Sequence, residues 1–187
     1  MNESFRTVID ESYLNEEAHK IRWRKTLDFL KGSSSNEKGL KRGLDLGGRT
    51  PLTDSMERLF NCPFDNSSVD LDTGGLEGSY DIVTAFEVLE HLFNPLHAML
   101  EVGKVLMRPG GRFFVSMPLL KPQCLASSGH FHEMSRSSAS RLFHRAGFSV
   151  ERKREFRVRE PLFYLTGVKP LMRAFYEKVQ IYELFLL

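Results

Sequence analysis

Glu87, Glu90 and His91 crowd into the stretch Tyr80 to Pro95, YDIVTAFEVLEHLFNP, directly after the apolar run Ile82, Val83, Ala85 and Phe86. Two carboxylates beside an imidazole can take up or hand on a proton near neutral pH, because the ordinary histidine pKa lies close to neutrality. A second stretch, Gly129 to Glu133, sets His130 and His132 in an H-x-H spacing. That spacing supplies only two of the three or four ligands a zinc ion needs, so no metal centre is expected from it. Earlier, Asp45, Leu46, Gly47 and Gly48 place a carboxylate before glycines that let backbone come close to a ligand. Each group also has a plain structural reading. Glu90 and His91 can be the solvated first turn of a helix, and His130 and His132 loop side chains in water.

The surrounding elements would put these groups in one place. The apolar run from Ile82 to Phe86 has the pattern of a strand covered on both faces by helices. In an open parallel sheet the ligand crevice lies outside the carboxyl ends of the strands, where Glu87, Glu90 and His91 arrive. Leu40 to Leu46 reads as an earlier strand, followed by a helix Pro51–Phe60 with Thr50 as cap, Pro51 in the first position and Asp54 complementing the dipole. Asn94 and Pro95 open a helix that runs to Met107, and a turn Arg108 to Gly111 leads into a strand Arg112 to Met117. Ser135 caps a helix Arg136 to Ala146, and Ser149 to Arg159 reads as a strand. Strands alternating with helices at this spacing mark an α/β domain with a largely parallel sheet.

Three of these segments carry a resemblance. YDIVTAFEVLEHLFNP, GLDLGG from Gly43 to Gly48 and LMRPGGRFFVSMP from Leu106 to Pro118 resemble, in order, the fourth strand, first strand and fifth strand of class I S-adenosylmethionine-dependent methyltransferases. The branch with an E-V-L-E-H run, acting on small molecules, is the most similar, over roughly residues 40 to 150. The resemblance implies a Rossmann-like, doubly wound sheet, mostly parallel, with Ile181 to Leu187 as an antiparallel last strand. It implies S-adenosyl-L-methionine as cofactor and a small-molecule or lipid-linked methyl acceptor. Carried over position by position, it places Asp45, Leu46, Gly47 and Gly48 in the cofactor loop and Phe86 and Glu87 at the fourth strand's tip. Asp65 falls where a carboxylate would meet the ribose hydroxyls, and Asp70 or Asp72, in VDLD, at the end of a third strand near the adenine amino group. His91 and His130 become the candidate catalytic bases.

The glycine loop departs from the family's D-x-G-x-G-x-G pattern, because Arg49 and Pro51 stand at the other two glycine positions. Arg49 either turns away, or pairs with the carboxylate of the cofactor, or belongs to a loop that no longer binds it. The last case defines a rival function, a non-catalytic, methyltransferase-like binding protein. A nicotinamide-dependent dehydrogenase fits less well, since G-x-G-x-x-G is lacking.

Composition sets the outer bounds. The chain of 187 residues fits a single domain, read as a helical arm and linker over 1–39 and an α/β core over 40–187. A net charge of +2 argues against a nucleic-acid partner. Cys62 and Cys124 are too few for a disulfide framework, and the N-terminus lacks an apolar core of signal-peptide length, so a cytoplasmic protein is expected. Tyr13 to Leu30 reads as a helix apolar on two sides, with Ile21 and Phe29 on one and Trp23, Leu27 and Leu30 on the other, as if sandwiched. The strand from Ser149 carries Arg152, Lys153, Arg154, Arg157 and Arg159, either as edge protection or as a patch for an acidic partner. Lys169 to Gln180 reads as an amphipathic helix, and the apolar tail IYELFLL offers a weak membrane-surface contact as an alternative to a strand. Monomer and homodimer both stay open.

Overall fold

The computed structural model describes residues 17–37, 39–125, 127 and 129–187. Helix α1, Glu17–Lys31, leads into strand β1, Gly43–Asp45, helix α2, Pro51–Phe60, and strand β2, Phe64–Asn66. Then come β3, Ile82–Phe86, α3, Pro95–Val105, β4, Arg112–Pro118, α4, Arg136–Arg145, β5, Phe148–Phe156, α5, Val168–Tyr176, and β6, Val179–Leu186. The first residues of the helix expected from Tyr13 lie outside the described ones.

The strands form one sheet in the order β2-β1-β3-β4-β6-β5. β1, β2, β3 and β4 pair in parallel, and β6 runs antiparallel to both β4 and β5. This is the expected α/β sheet with its antiparallel last strand.

Side-chain alternation along the strands builds two cores. Ile82, Phe114 and Ile181 face one side, where they meet Phe29 and Leu30 of α1 and Leu52, Met56 and Phe60 of α2. Val83, Ala85, Phe113, Val115 and Leu184 face the other and meet Ala98, Met99 and Val102 of α3 and Ala139 and Phe143 of α4. Helices on both faces explain why the central strands are apolar throughout.

Several expectations are corrected. No strand forms among the described residues 67–79, so the sheet ends at β2 and VDLD is a turn. The cause is local. Asp70 accepts the Asp72 backbone N–H at 2.9 Å and the Thr73 hydroxyl at 3.2 Å, a side-chain alternative to a sheet ladder. β1 is shorter than the expected Leu40 to Leu46, and β6 begins at Val179, inside the stretch read as helix. Val179 and Gln180 are buried against β4 and β5, and that pairing outweighs helical periodicity.

β5 stands at the sheet edge, and three of the five basic side chains between Arg152 and Arg159 have partners within the fold. Arg152 meets the buried Glu183 at 2.6 Å and Arg159 meets Glu177 at 3.1 Å, while Arg157 donates to the Ala174 carbonyl at 2.6 Å. No helix among the described residues is long and apolar enough to cross a membrane.

Candidate active site

The carboxyl ends of β1 and β3 lie side by side, with Asp45 paired to Thr84 in register. Asp45 is buried, and its carboxylate accepts hydroxyl bonds from Thr84 at 2.6 Å and Thr53 at 2.7 Å. Burial pushes its pKa up to about 6, although both hydroxyls pull the other way. Both oxygens thus brace the loop from beneath, tying β1 to β3 and to the first turn of α2.

Beyond Asp45 and the buried Leu46, Gly47 adopts φ 105°, a left-handed conformation natural to glycine. Its N–H donates to the Ser67 hydroxyl at 2.9 Å, and its carbonyl accepts from Asn66 Nδ2 at 3.1 Å. A Cβ added at Gly47 or Gly48 would meet nothing within 4 Å, so the loop faces open space. Arg49 turns away from that space. Its guanidinium lies 2.7 Å from Asp54 and 2.6 Å from Glu57, both on α2.

The three acidic positions carried over from the resemblance are not brought together. Asp65 lies one residue short of the end of β2, on the opposite face from Asn66, and pairs with Arg42 at 2.6 Å. The tip residue is Asn66, in register with Asp45. Asp70 is occupied in its own turn, and Asp72 accepts the backbone N–H of Asn94 at 2.7 Å, anchoring the start of α3.

At the end of β3, Phe86 pairs in register with Ser116 of β4. Glu87 then takes φ 57°, donates its N–H to the Ser116 carbonyl at 3.0 Å and accepts the Ser116 hydroxyl at 3.0 Å. Its other oxygen lies 2.9 Å from the Arg22 guanidinium of α1. The leading helix therefore reaches across the strand tips.

Glu90 is fully buried, and neither carboxylate oxygen has a hydrogen-bond partner among the described residues. Burial, with Glu87 adding repulsion, holds its carboxyl well above the usual range. Its backbone carbonyl accepts from the N–H groups of Phe131 and His132 at 2.8 and 3.2 Å, which stitches the loop after β4 onto this turn. That stitch brings His91 and His130 into edge-to-face contact, ring centroids 4.9 Å apart.

His91 Nδ1 lies 2.8 Å from the Gly129 carbonyl, and His130 Nδ1 lies 2.9 Å from Glu133. Burial lowers the pKa of His130, with Glu133 opposing. Burial raises that of Glu133, but Lys121 at 2.8 Å and His130 outweigh it and hold the carboxyl low. One ligand atom from each of Glu90, His91 and His130 lies within 4.8 Å of the others. His132 points elsewhere, its Nε2 lying 3.2 Å from the Phe93 carbonyl, so the two histidines of the H-x-H spacing are separated.

Arg22, Asn66, Ser67, Ser116, Lys121 and Glu133 join the site without having been singled out in the sequence. Two carried a usable signal. Arg22 lies on a helix whose two apolar sides implied a sandwich, and Glu133 closes the Gly129 to Glu133 stretch that carries His130.

A family model described as a methyltransferase domain matches residues 15–153. A probable S-adenosylmethionine-dependent methyltransferase of Mycolicibacterium smegmatis is 27% identical over 154 residues, covering 71% of this chain and 58% of that one. The ubiquinone biosynthesis O-methyltransferase of Vibrio parahaemolyticus is 30% identical over 115 residues, covering 56% of this chain and 48% of that one. The chain thus spans about half the length of the curated relatives it matches. In structure, an S-adenosylmethionine-dependent methyltransferase of Clostridium acetobutylicum superposes with a TM-score of 0.64 at 10% identity, covering 94% of this chain and 96% of that one. At that identity the likeness concerns the fold.

Proposed function

The chain belongs to the S-adenosylmethionine-dependent methyltransferase family, and from that premise we propose that it transfers a methyl group to a small-molecule or lipid-linked acceptor. The observation that carries this reading is the open space over Gly47 and Gly48, at the point where the tips of β1 and β3 abut. The residues there suit the cofactor. Backbone of Gly47 and Gly48, the Asn66 and Ser67 side chains and the turn Phe86–Glu87 would hold it, with Asp45 fixing the loop from below.

Bound there, S-adenosylmethionine would supply an electrophilic methyl group on its sulfonium, with the thioether as the leaving group. The protein's part is to align and to exclude water. Arg22 of α1, held by Glu87, closes over the crevice. His91 and His130 stand beside it and can take the proton an acceptor hydroxyl gives up. Phe93 and Phe131, exposed and stacked with centroids 4.2 Å apart, offer an apolar platform at the same edge. The Vibrio relative's name places an oxygen acceptor in ubiquinone biosynthesis, which favours O-methylation of an acceptor with an apolar body here.

Calorimetry with S-adenosylhomocysteine tests the reading directly. One molecule bound per chain is expected, competing with S-adenosylmethionine. Absence of saturable binding would leave the non-catalytic alternative standing.

A further inference from the structure

The geometry points to a divalent metal site formed by Glu90, His91 and His130, at which the acceptor's oxygen is held. This deepens the methyltransferase reading and, for the role of the ion, rests on it. Three observations support the site independently of any bound group.

Glu90 is buried, with both oxygens lacking a partner among the described residues. A carboxyl group left so in an apolar interior is costly in either protonation state, since even the neutral acid would need an acceptor for its proton. A cation between Glu90 and the two rings resolves that cost.

The histidines are arranged as ligands are. His91 Nδ1 faces the Gly129 carbonyl, which can only accept, so Nδ1 carries a proton and, in the neutral ring, Nε2 is the nitrogen left for a ligand. His130 Nδ1 lies 2.9 Å from the Glu133 carboxylate, which Lys121 also meets at 2.8 Å, so in the neutral ring Nε2 is again the nitrogen left for a ligand. A carbonyl or carboxylate behind the far nitrogen of a ligating imidazole is the usual outer support of metal sites.

The three groups are also close enough. Ligand atoms within 4.8 Å of one another can converge on an ion at about 2.0–2.2 Å from each with small rotamer changes. Two imidazoles and one carboxylate suit zinc, iron or manganese in the divalent state better than calcium, which prefers an all-oxygen shell. Three protein ligands leave at least one position open, and exposed His91 gives an entry from solvent. With an ion bound, His91 and His130 would serve as its ligands in place of the base role given them above; an acceptor hydroxyl in the open position would lose its proton to water more readily, and its oxygen would be fixed beside the crevice.

The test uses the full chain stripped with EDTA, then titrated with Zn2+ by calorimetry and with Co2+ by visible absorption. One ion per chain is expected, with affinity reduced on the order of tenfold or more in Glu90→Gln and His130→Asn and unchanged in His132→Asn. Absence of saturable binding, or wild-type affinity in both ligand variants, overturns the site. Should Glu90→Gln fail to fold, His130→Asn decides alone, because its position on a loop spares the core. S-adenosylhomocysteine binding is measured alongside. Saturable S-adenosylhomocysteine binding with no saturable metal binding overturns only the metal site, and saturable metal binding with no S-adenosylhomocysteine binding overturns only the methyltransferase reading.

Discussion

The Arg22 guanidinium lies 2.9 Å from Glu87, so an N-terminal helix and the tip of a central strand are joined by one partly buried ion pair across the crevice. The far end of α1 is fixed by Phe29 and Leu30 in the core, and nearer its start Arg22, between the buried Ile21 and the partly buried Trp23, ties the helix to the strand tip.

Arg22→Ala should therefore loosen the first half of α1 without disturbing the sheet. A partly buried charged pair of this kind contributes about 1 kcal/mol, a roughly fivefold change in local opening. Hydrogen exchange of the α1 amides should quicken by that factor. Unchanged protection there would show that packing alone holds the helix.

His91→Asn and His130→Asn should each lower kcat by roughly a hundredfold while S-adenosylhomocysteine affinity stays within about twofold of wild type. The two rings touch each other rather than the glycine loop, so loss of catalysis and loss of cofactor binding should separate. A parallel fall in both quantities would assign the pair a structural role instead.

Asp45 predicts a pH dependence of stability. Its folded pKa of about 6 exceeds the unfolded value, so its contribution is most favourable below about pH 4 and is lost as pH rises through 6. A rise of that size corresponds to roughly 2–3 kcal/mol at neutral pH, as an order of magnitude. Asp45→Asn should gain on wild type by that amount between about pH 4 and 7 in urea unfolding. A difference independent of pH would contradict the raised value.

Arg49→Ala should change S-adenosylhomocysteine affinity by less than about twofold, because the guanidinium is held by Asp54 and Glu57 on α2. A loss of about tenfold, near 1.4 kcal/mol, would mean that the arginine leaves the helix for the cofactor carboxylate.

Glu183 is buried on β6, 2.6 Å from both Arg152 and the Ser33 hydroxyl. Removing its charge leaves the partly buried Arg152 without a counter-ion. Glu183→Gln should cost about 3 kcal/mol, read as a lower denaturation midpoint with an unchanged slope. An unmoved midpoint would show that water screens the arginine.

By itself the sequence determined the parts governed by short-range rules. The apolar run at β3, the cap and proline that begin α2, and the run of helix after strand all follow from local periodicity and backbone preference, and these elements formed where expected. So did the adjacency of the Asp45 loop to the Glu87 turn, because a parallel sheet brings strand ends together. The tertiary structure decided what depends on partners far away in the chain. Asp65 falls one residue short of the tip because pairing with β1 puts Asn66 beside Asp45, and VDLD became a turn because Asp70 satisfied its own backbone. Val179 and Gln180 joined β6 because two neighbouring strands offered them hydrogen bonds. Glu90, His91 and His130 meet where Phe131 and His132 donate to the Glu90 carbonyl and His91 meets the Gly129 carbonyl, contacts that no spacing along the chain encodes.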